Sequence, residues 1–315
     1  MRDKLIRIHR AAPPGGRRQR PRMLAVAGDS AAGKTTLVRG LVAALGPERC
    51  TSICVDDYHR YDREERRNLP FTPLHPHCNY VGIMEQHLRL LANGQPILKP
   101  RYDHRDGTLT RPELVEPRDF VIVEGLLPLH TRLSRACFDV SVYLDPPESV
   151  RRAWKVRRDT GERGYTREQV LAELDRREPE SAAFIRPQRE HADVVVRFAP
   201  IEGRSDSADT PLSVTLLLRP TIPHPPLSEM LDDTHRWTVY LKLVRDRNGR
   251  PTEALHIHGY AQSEDTRLVE KVIWESLDRP DPLPDSLGQL DSGGRSEPLA
   301  LTQLILLYHL LRTLP

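Results

Sequence analysis

Gly28-x-x-x-x-Gly33-Lys34-Thr35 has the spacing of a phosphate-binding loop, set between the apolar run "MLAVA" at 23–27 and a helical stretch. Glycines let a backbone wrap a phosphate chain and turn its N–H groups inward. Gly28, Asp29, Ser30, Ala31, Ala32, Gly33, Lys34, Thr35 and Thr36 are therefore the expected nucleotide-binding segment. Lys34 is expected to bridge the β- and γ-phosphates, and the Thr35 hydroxyl to ligate Mg²⁺. Such a metal needs a carboxylate at the end of another strand. Glu124 closes "FVIVEG" after four apolar residues and is preferred to Asp145, whose "DPP" reads as a helix lead-in. The chain has no Asn-Lys-x-Asp base-reading motif, which favours ATP over GTP.

The acceptor of the phosphate is the harder question. The second apolar strand runs into "VDDYHRYDR" at 55–63. A carboxylate at a strand's C-terminal end beside a phosphate loop faces the ligand crevice. Asp56 is thus placed to take the proton of an attacking hydroxyl, and it counts with Thr35 and Glu124 among the metal ligands. His59, Arg60 and Arg63 follow, a group of cations that a phosphorylated acceptor would use and a neutral nucleoside would not. A third cluster, "WKVRRDTGERGYT" at 154–166, sets Lys155 and Arg158 three apart on a helix, with Arg163 on a glycine-flanked loop beyond it. These read as a mobile lid over the transferring phosphate, although Asp159 and Glu162 offer them local partners.

These residues require a scaffold of alternating strands and helices. Strands are expected at "MLAVAG", "CTSICVD", "DFVIVEG", "DVSVYLD" and "ADVVVRF". Helices are expected at "GKTTLVRGLVAAL", at 81–93, from 148 to 158, and from Thr166, which forms a capping box with Gln169. The pattern predicts an α/β kinase domain over 23–200 with a mainly parallel, doubly wound sheet. A polar boundary at 201–211 precedes an α+β extension over 213–315, with a hairpin turning at "RDRNGRP" and a final leucine-rich helix that reads as core. His256 and His258 read as one face of a strand. Residues 1–22 are basic, lack an apolar signal core and are expected to be a disordered arm.

Composition narrows the classes. The chain has 315 residues, 38% of them hydrophobic, and no apolar run of the length a membrane helix needs. Of 47 basic residues 41 are arginine, but acidic residues are interspersed and the net charge is only +3, so no nucleic-acid partner is expected. Four cysteines without metal or Cys-x-x-Cys spacing fit a reducing cytoplasm.

The chain resembles the phosphoribulokinase/uridine kinase family in its phosphate loop and in "DDYH", "KPRYDHRDG" (99–107), "VEGLLPLH" (123–130), "RRDTGERGYT" (157–166) and "PQREHADVVV" (187–196), which occur in the family's order. The resemblance implies transfer of the ATP γ-phosphate to O1 of D-ribulose 5-phosphate. It further implies Asp56 as base, Glu124 as metal partner and Lys155 and Arg158 as lid cations. Sugar-phosphate contacts would come from His59, Arg63, Arg163 and Arg177, with Tyr102 and His104 near the sugar, in a homodimer. In the plant-type branch a cysteine stands where this chain has Ala32, and its partner position is Cys54, so that branch's thioredoxin-sensitive disulfide is not expected. A histidine usually follows "EGL", where this chain has "EGLLPLH". Uridine kinase activity, or a regulatory nucleotide-binding module, would share the same loop.

Overall fold

The apolar runs form parallel strands buried on both faces, the pattern such continuous runs demand. The structure, a computed structural model, describes residues 20–201, 211–225, 227, 239–290 and 293–312. Most of the expected basic arm therefore lies outside the described residues. The described residues fold into two compact bodies that are discontinuous in sequence. One contains 20–29, Pro47–Ser141 and Ala172–His191; the other contains Ser30–Gly46, Val142–Leu171 and the residues from Ala192 onward.

In the first body, β5 (Phe120–Gly125) lies between β1 (Arg22–Gly28) and β2 (Cys50–Cys54), all parallel. Val26 and Cys54 both register on Glu124. The strand ends are therefore level, and the segments that follow them emerge at one edge. Met23, Ile53, Val121 and Val123 pack there with Met84, Leu88 and Leu91 of helix α2 (Val81–Ala92). A separate antiparallel hairpin, β3 (Ile97–Asp103) and β4 (Thr108–Val115), belongs to this body and was not expected. It is anchored by Lys99, a buried ammonium paired with Asp57 and with Glu113 at 2.8 Å. Asp57 Oδ1 also accepts from the Tyr102 backbone N–H at 3.0 Å.

In the second body, β6 (Val140–Leu144) pairs parallel with β7 (Val194–Ala199). Beyond the boundary expected at 201–211, β8 (Ser213–Leu218) pairs antiparallel with β7. Then come β10 (Pro251–Ile257) and β9 (Val239–Arg245), joined by the expected turn with Gly249 at φ +72°. On β10, His256 meets Thr215 Oγ1 at 3.1 Å and stacks on Tyr240. Of the helices between, the short α3 (Arg132–Arg135) and the part of α5 (Arg167–Glu180) from Ala172 belong to the first body, and α4 (Glu148–Glu162), the start of α5 and α6 (Ser263–Glu275) to the second. The last helix, α7 (Glu297–Leu311), is buried on all sides and packs on α1 (Lys34–Leu45) and α6. The approach to α1 is close: a Cβ on Gly40 would meet Gln303 Nε2 at 1.9 Å. The leucine-rich segment is therefore core.

Candidate active site

The phosphate loop leaves β1 at Gly28 and enters α1 at Lys34 without a side-chain cap. Ala31 (φ 62°) and Gly33 (φ 93°) both take left-handed backbone, the alternation that aims successive N–H groups at an anion. Ala31 is an alanine in a region that costs about 1 kcal/mol or more, a strain found where function overrides propensity. Lys34, Thr35 and Thr36 form the first turn of α1. Asp29 is buried and accepts a hydrogen bond from Ser181 Oγ, which fixes the start of the loop to the turn after α5.

The first body gathers most of the expected acceptor residues. Contrary to expectation, β2 stops at Cys54, and Asp56 stands on a tight helical turn, Val55–Tyr58, just beyond the strand. Gly125 permits this, because a Cβ there would lie 2.5 Å from Val55 Cβ. Cys54 Sγ, an Asp56 carboxylate oxygen and a His104 ring nitrogen lie within 4.8 Å of one another. Burial, then the Asp56 and Glu124 carboxylates, push the Cys54 thiol well above its ordinary pKa. A thiol held protonated is a poor zinc ligand, whereas Asp56 and Glu124 supply the oxygen donors Mg²⁺ prefers.

His59 corrects the sequence reading. It is 4% exposed, and burial lowers its pKa against the pull of Asp56, so the ring is neutral at pH 7 and does not join the cation cluster. Asn79 Nδ2 donates to the carbonyls of Pro73 and His75, which turns Oδ1 toward His59. His59 Nδ1–H then donates to Asn79 Oδ1 at 2.8 Å and leaves Nε2 an acceptor. Tyr102, on β3, meets both His59 and His104 edge to face at 5.0 Å. Arg63 donates to the carbonyl of His104 at 2.6 Å and, more weakly, to that of Arg105 at 3.4 Å, tying the hairpin turn down. Gly107 (φ 76°) is required in that turn because a Cβ would strike Arg63. Arg177 bonds Glu173 of its own helix at 2.6 Å.

The second body holds the residues expected to form a lid. Helix α4 runs four residues beyond the expected end at 158 to Glu162, and Arg163 caps it instead of lying in the loop. The cause is Asp159. It takes Lys155 Nζ at 2.5 Å, Arg158 Nε at 2.9 Å and Arg163 at 3.6 Å, fastening all three expected lid cations to one buried carboxylate. Arg151, Lys155 and Asp159 form a buried polar stripe at i, i+4 and i+8, and Arg151 donates to the Ser30 carbonyl of the phosphate loop at 3.2 Å. Arg151 and the common role of Asp159 were missed, although that stripe was a signal in the sequence. The capping box of α5 forms as expected, with Thr166 N–H to Gln169 at 2.9 Å and the return bond at 3.3 Å.

Burial alone would raise the Asp159 carboxyl, but hydrogen bonds from Lys155 and Arg158 outweigh it and hold it below the usual carboxylate value. A depressed carboxyl contributes stability above the unfolded value of about 3.9 and loses it as pH falls through the lower folded value. Asp159→Asn should therefore cost about 3 kcal/mol at pH 7, since it leaves a buried ammonium uncompensated. The gap from wild type should shrink below about pH 4. Urea unfolding at pH 7 and pH 3 measures this, and an equal gap at both would remove the carboxylate's charge from the explanation.

The cysteines yield a second expectation. Burial raises the Cys50 thiol to about 11 and also lifts Cys54 and Cys78; none of the four cysteines, buried Cys137 included, is in a disulfide. Few thiolates means slow oxidation and alkylation. Activity should be unchanged by oxidised thioredoxin or dithiothreitol, and reversible inactivation under oxidation would contradict this.

A glycine-rich loop from a buried parallel strand into a helix, with acidic residues at the neighbouring strand ends, is the architecture of a P-loop kinase. Residues 23–203 match the phosphoribulokinase/uridine kinase family, and the chain belongs to it. The phosphoribulokinase of Synechocystis is 42% identical over 195 residues, covering 62% of this chain and 59% of that protein. The chloroplastic phosphoribulokinase of Arabidopsis thaliana is 34% identical over 223 residues, covering 63% of this chain and 56% of that protein. The chain thus spans less than two thirds of these relatives' length. A solved phosphoribulokinase from Rhodobacter spheroides shares the fold, with a TM-score of 0.58 and 18% identity over 82% of this chain and 97% of that one. Among the described residues, no helix is long and apolar enough to cross a membrane.

Proposed function

We propose that this chain transfers the γ-phosphate of ATP to O1 of D-ribulose 5-phosphate. The observation that carries the reading is the grouping of Asp56, His104, Tyr102 and His59 at the turn after β2 and on the β3–β4 hairpin. It supplies a carboxylate base beside aromatic and imidazole groups suited to a polyhydroxylated acceptor. In the proposed step Asp56 takes the O1 proton, O1 bonds to the γ-phosphorus, and the bond to the ADP oxygen breaks. Lys34 and the loop N–H groups hold the phosphates, and Lys155, Arg158 and Arg163 offset charge on the transferring group. Asp56, Glu124 and Thr35 would hold Mg²⁺, which neutralises phosphate charge when bound.

The test is ADP release with ribulose 5-phosphate or uridine as acceptor. Release stimulated by ribulose 5-phosphate and not by uridine is expected. Preference for uridine would make the chain a nucleoside kinase, and stimulation by neither would favour a regulatory nucleotide-binding protein.

A further inference from the structure

Arg151 is a buried cation to which the proposed transfer step gives no part. Its head is held by its own helix. Nε and Nη2 form a fork on the Glu148 carboxylate, at 2.8 and 2.7 Å. A planar guanidinium fixed along one edge has the direction of its remaining nitrogen fixed as well. That nitrogen, Nη1, donates to the Ser30 carbonyl at 3.2 Å. Three residues on, and so on the same face of α4, Trp154 lies against Gly33, where a Cβ would stand 3.6 Å from Trp154 Cζ3. Helix α4 therefore holds the phosphate loop on either side of Ala31, by the carbonyl before it and by a glycine after it.

The Ser30 carbonyl lies in the same peptide plane as the Ala31 N–H. In a trans peptide those two groups point in opposite directions. Drawing the Ser30 oxygen onto Arg151 thus turns the Ala31 N–H the other way. In a cradle of successive N–H groups, the direction of each donor decides whether it meets an anion. Ala31 is also the residue that needs support. It takes left-handed backbone (φ 62°), which crowds an alanine Cβ against the following carbonyl oxygen and which glycine enters freely.

We infer that Arg151 is a positioning residue for nucleotide binding: aimed by Glu148, it pins the Ser30 carbonyl and so keeps the Ala31 N–H directed and its strained backbone in place. It acts through the loop and not on the phosphates. The inference rests on the loop gripping the phosphates of ATP and is independent of the acceptor, so binding alone tests it. Arg151→Met removes the fork and keeps bulk. Ala31→Gly is the partner substitution, since glycine needs no help to take this backbone. Thermal unfolding first establishes that each single variant and the pair are folded.

Calorimetry with ATP and Mg²⁺, and no acceptor, reads the effect. Arg151→Met should raise the Kd for ATP about tenfold, the scale of one hydrogen bond to a charged group. In the Ala31→Gly background the same substitution should raise it less than about threefold, a coupling that the double-mutant cycle isolates. A Kd within about twofold of wild type in folded Arg151→Met would overturn the inference. So would an equal penalty in both backgrounds, the result expected of a charge acting through space or of helix packing alone. Glu148 is half-exposed, so Glu148→Gln serves as a second variant with little risk to the fold. It loosens the guanidinium without touching the loop. It should raise the Kd about threefold with Ala31 present and leave it level with Gly at that position, on the same hydrogen-bond scale. An unchanged Kd in both backgrounds would again overturn the inference.

Discussion

Asp56→Asn should lower kcat by at least about 10² while the dissociation constant for ATP stays nearly constant, the loss expected if the proposed general base is removed without changing shape. The substitution is nearly isosteric and leaves the tight turn intact, because that turn rests on backbone bonds such as His59 N–H to the Asp56 carbonyl at 3.3 Å. The neighbouring aspartate is the internal control. Both Asp57 oxygens are committed to the hairpin, one to buried Lys99 and one to the Tyr102 N–H. Asp57→Asn should therefore act on stability and on the KM for the acceptor, since it loosens β3. Measuring kcat, acceptor KM and urea midpoint for both variants separates the roles. A near-wild-type kcat in Asp56→Asn would end its assignment as base.

Lys34→Met should lower kcat/KM for ATP by about 10³, the scale reached when a fixed cation is withdrawn from a transferring phosphoryl group. Lys34 opens α1 directly after a left-handed Gly33. The buried face of that helix is Leu37, Val38, Leu41 and Leu45, so the fold does not depend on the lysine. Unlike the Asp56 variant, this one should lose nucleotide affinity as well as turnover, because on the proposed reading the lysine meets ATP in the ground state too. Unchanged ATP binding together with unchanged turnover would show that the loop grips its phosphates by backbone alone.

The strands and helices that carry these residues were legible because their signals are local. Parallel strands announce themselves as unbroken apolar runs, and Thr166 with Gln169 encodes its own helix start. The hairpin was not legible. Every residue of β4 except Val115 is exposed, and Pro100 interrupts β3 where the register shifts between Lys99 and Arg101, so neither strand shows clean alternation. The charge state of His59 was hidden for a different reason. It is set by burial, which outweighs the opposing pull of Asp56 and of Asn79, twenty residues away in sequence, and a string of polar letters does not distinguish a neutral, buried imidazole from a solvated cation. Lys155, Arg158 and Arg163 were recognised as a group, but only the three-dimensional arrangement ranks their shared carboxylate above solvent.

The β3–β4 hairpin is a sheet of its own, apart from β1, β2 and β5. It carries Tyr102 and ends beside His104, and it is attached to the acidic turn chiefly through Asp57, Lys99 and Arg63. On the proposed reading, the chemistry of transfer and the recognition of what receives the phosphate thereby fall in separable pieces of the chain. Mutations in the hairpin can drift, lengthen or be exchanged with a relative's without disturbing the buried strands that set Asp56 and Glu124. A grafted hairpin that keeps those three anchors is a direct route to a kinase with a new acceptor, and the same separability gives evolution a way to diversify substrates on one catalytic frame.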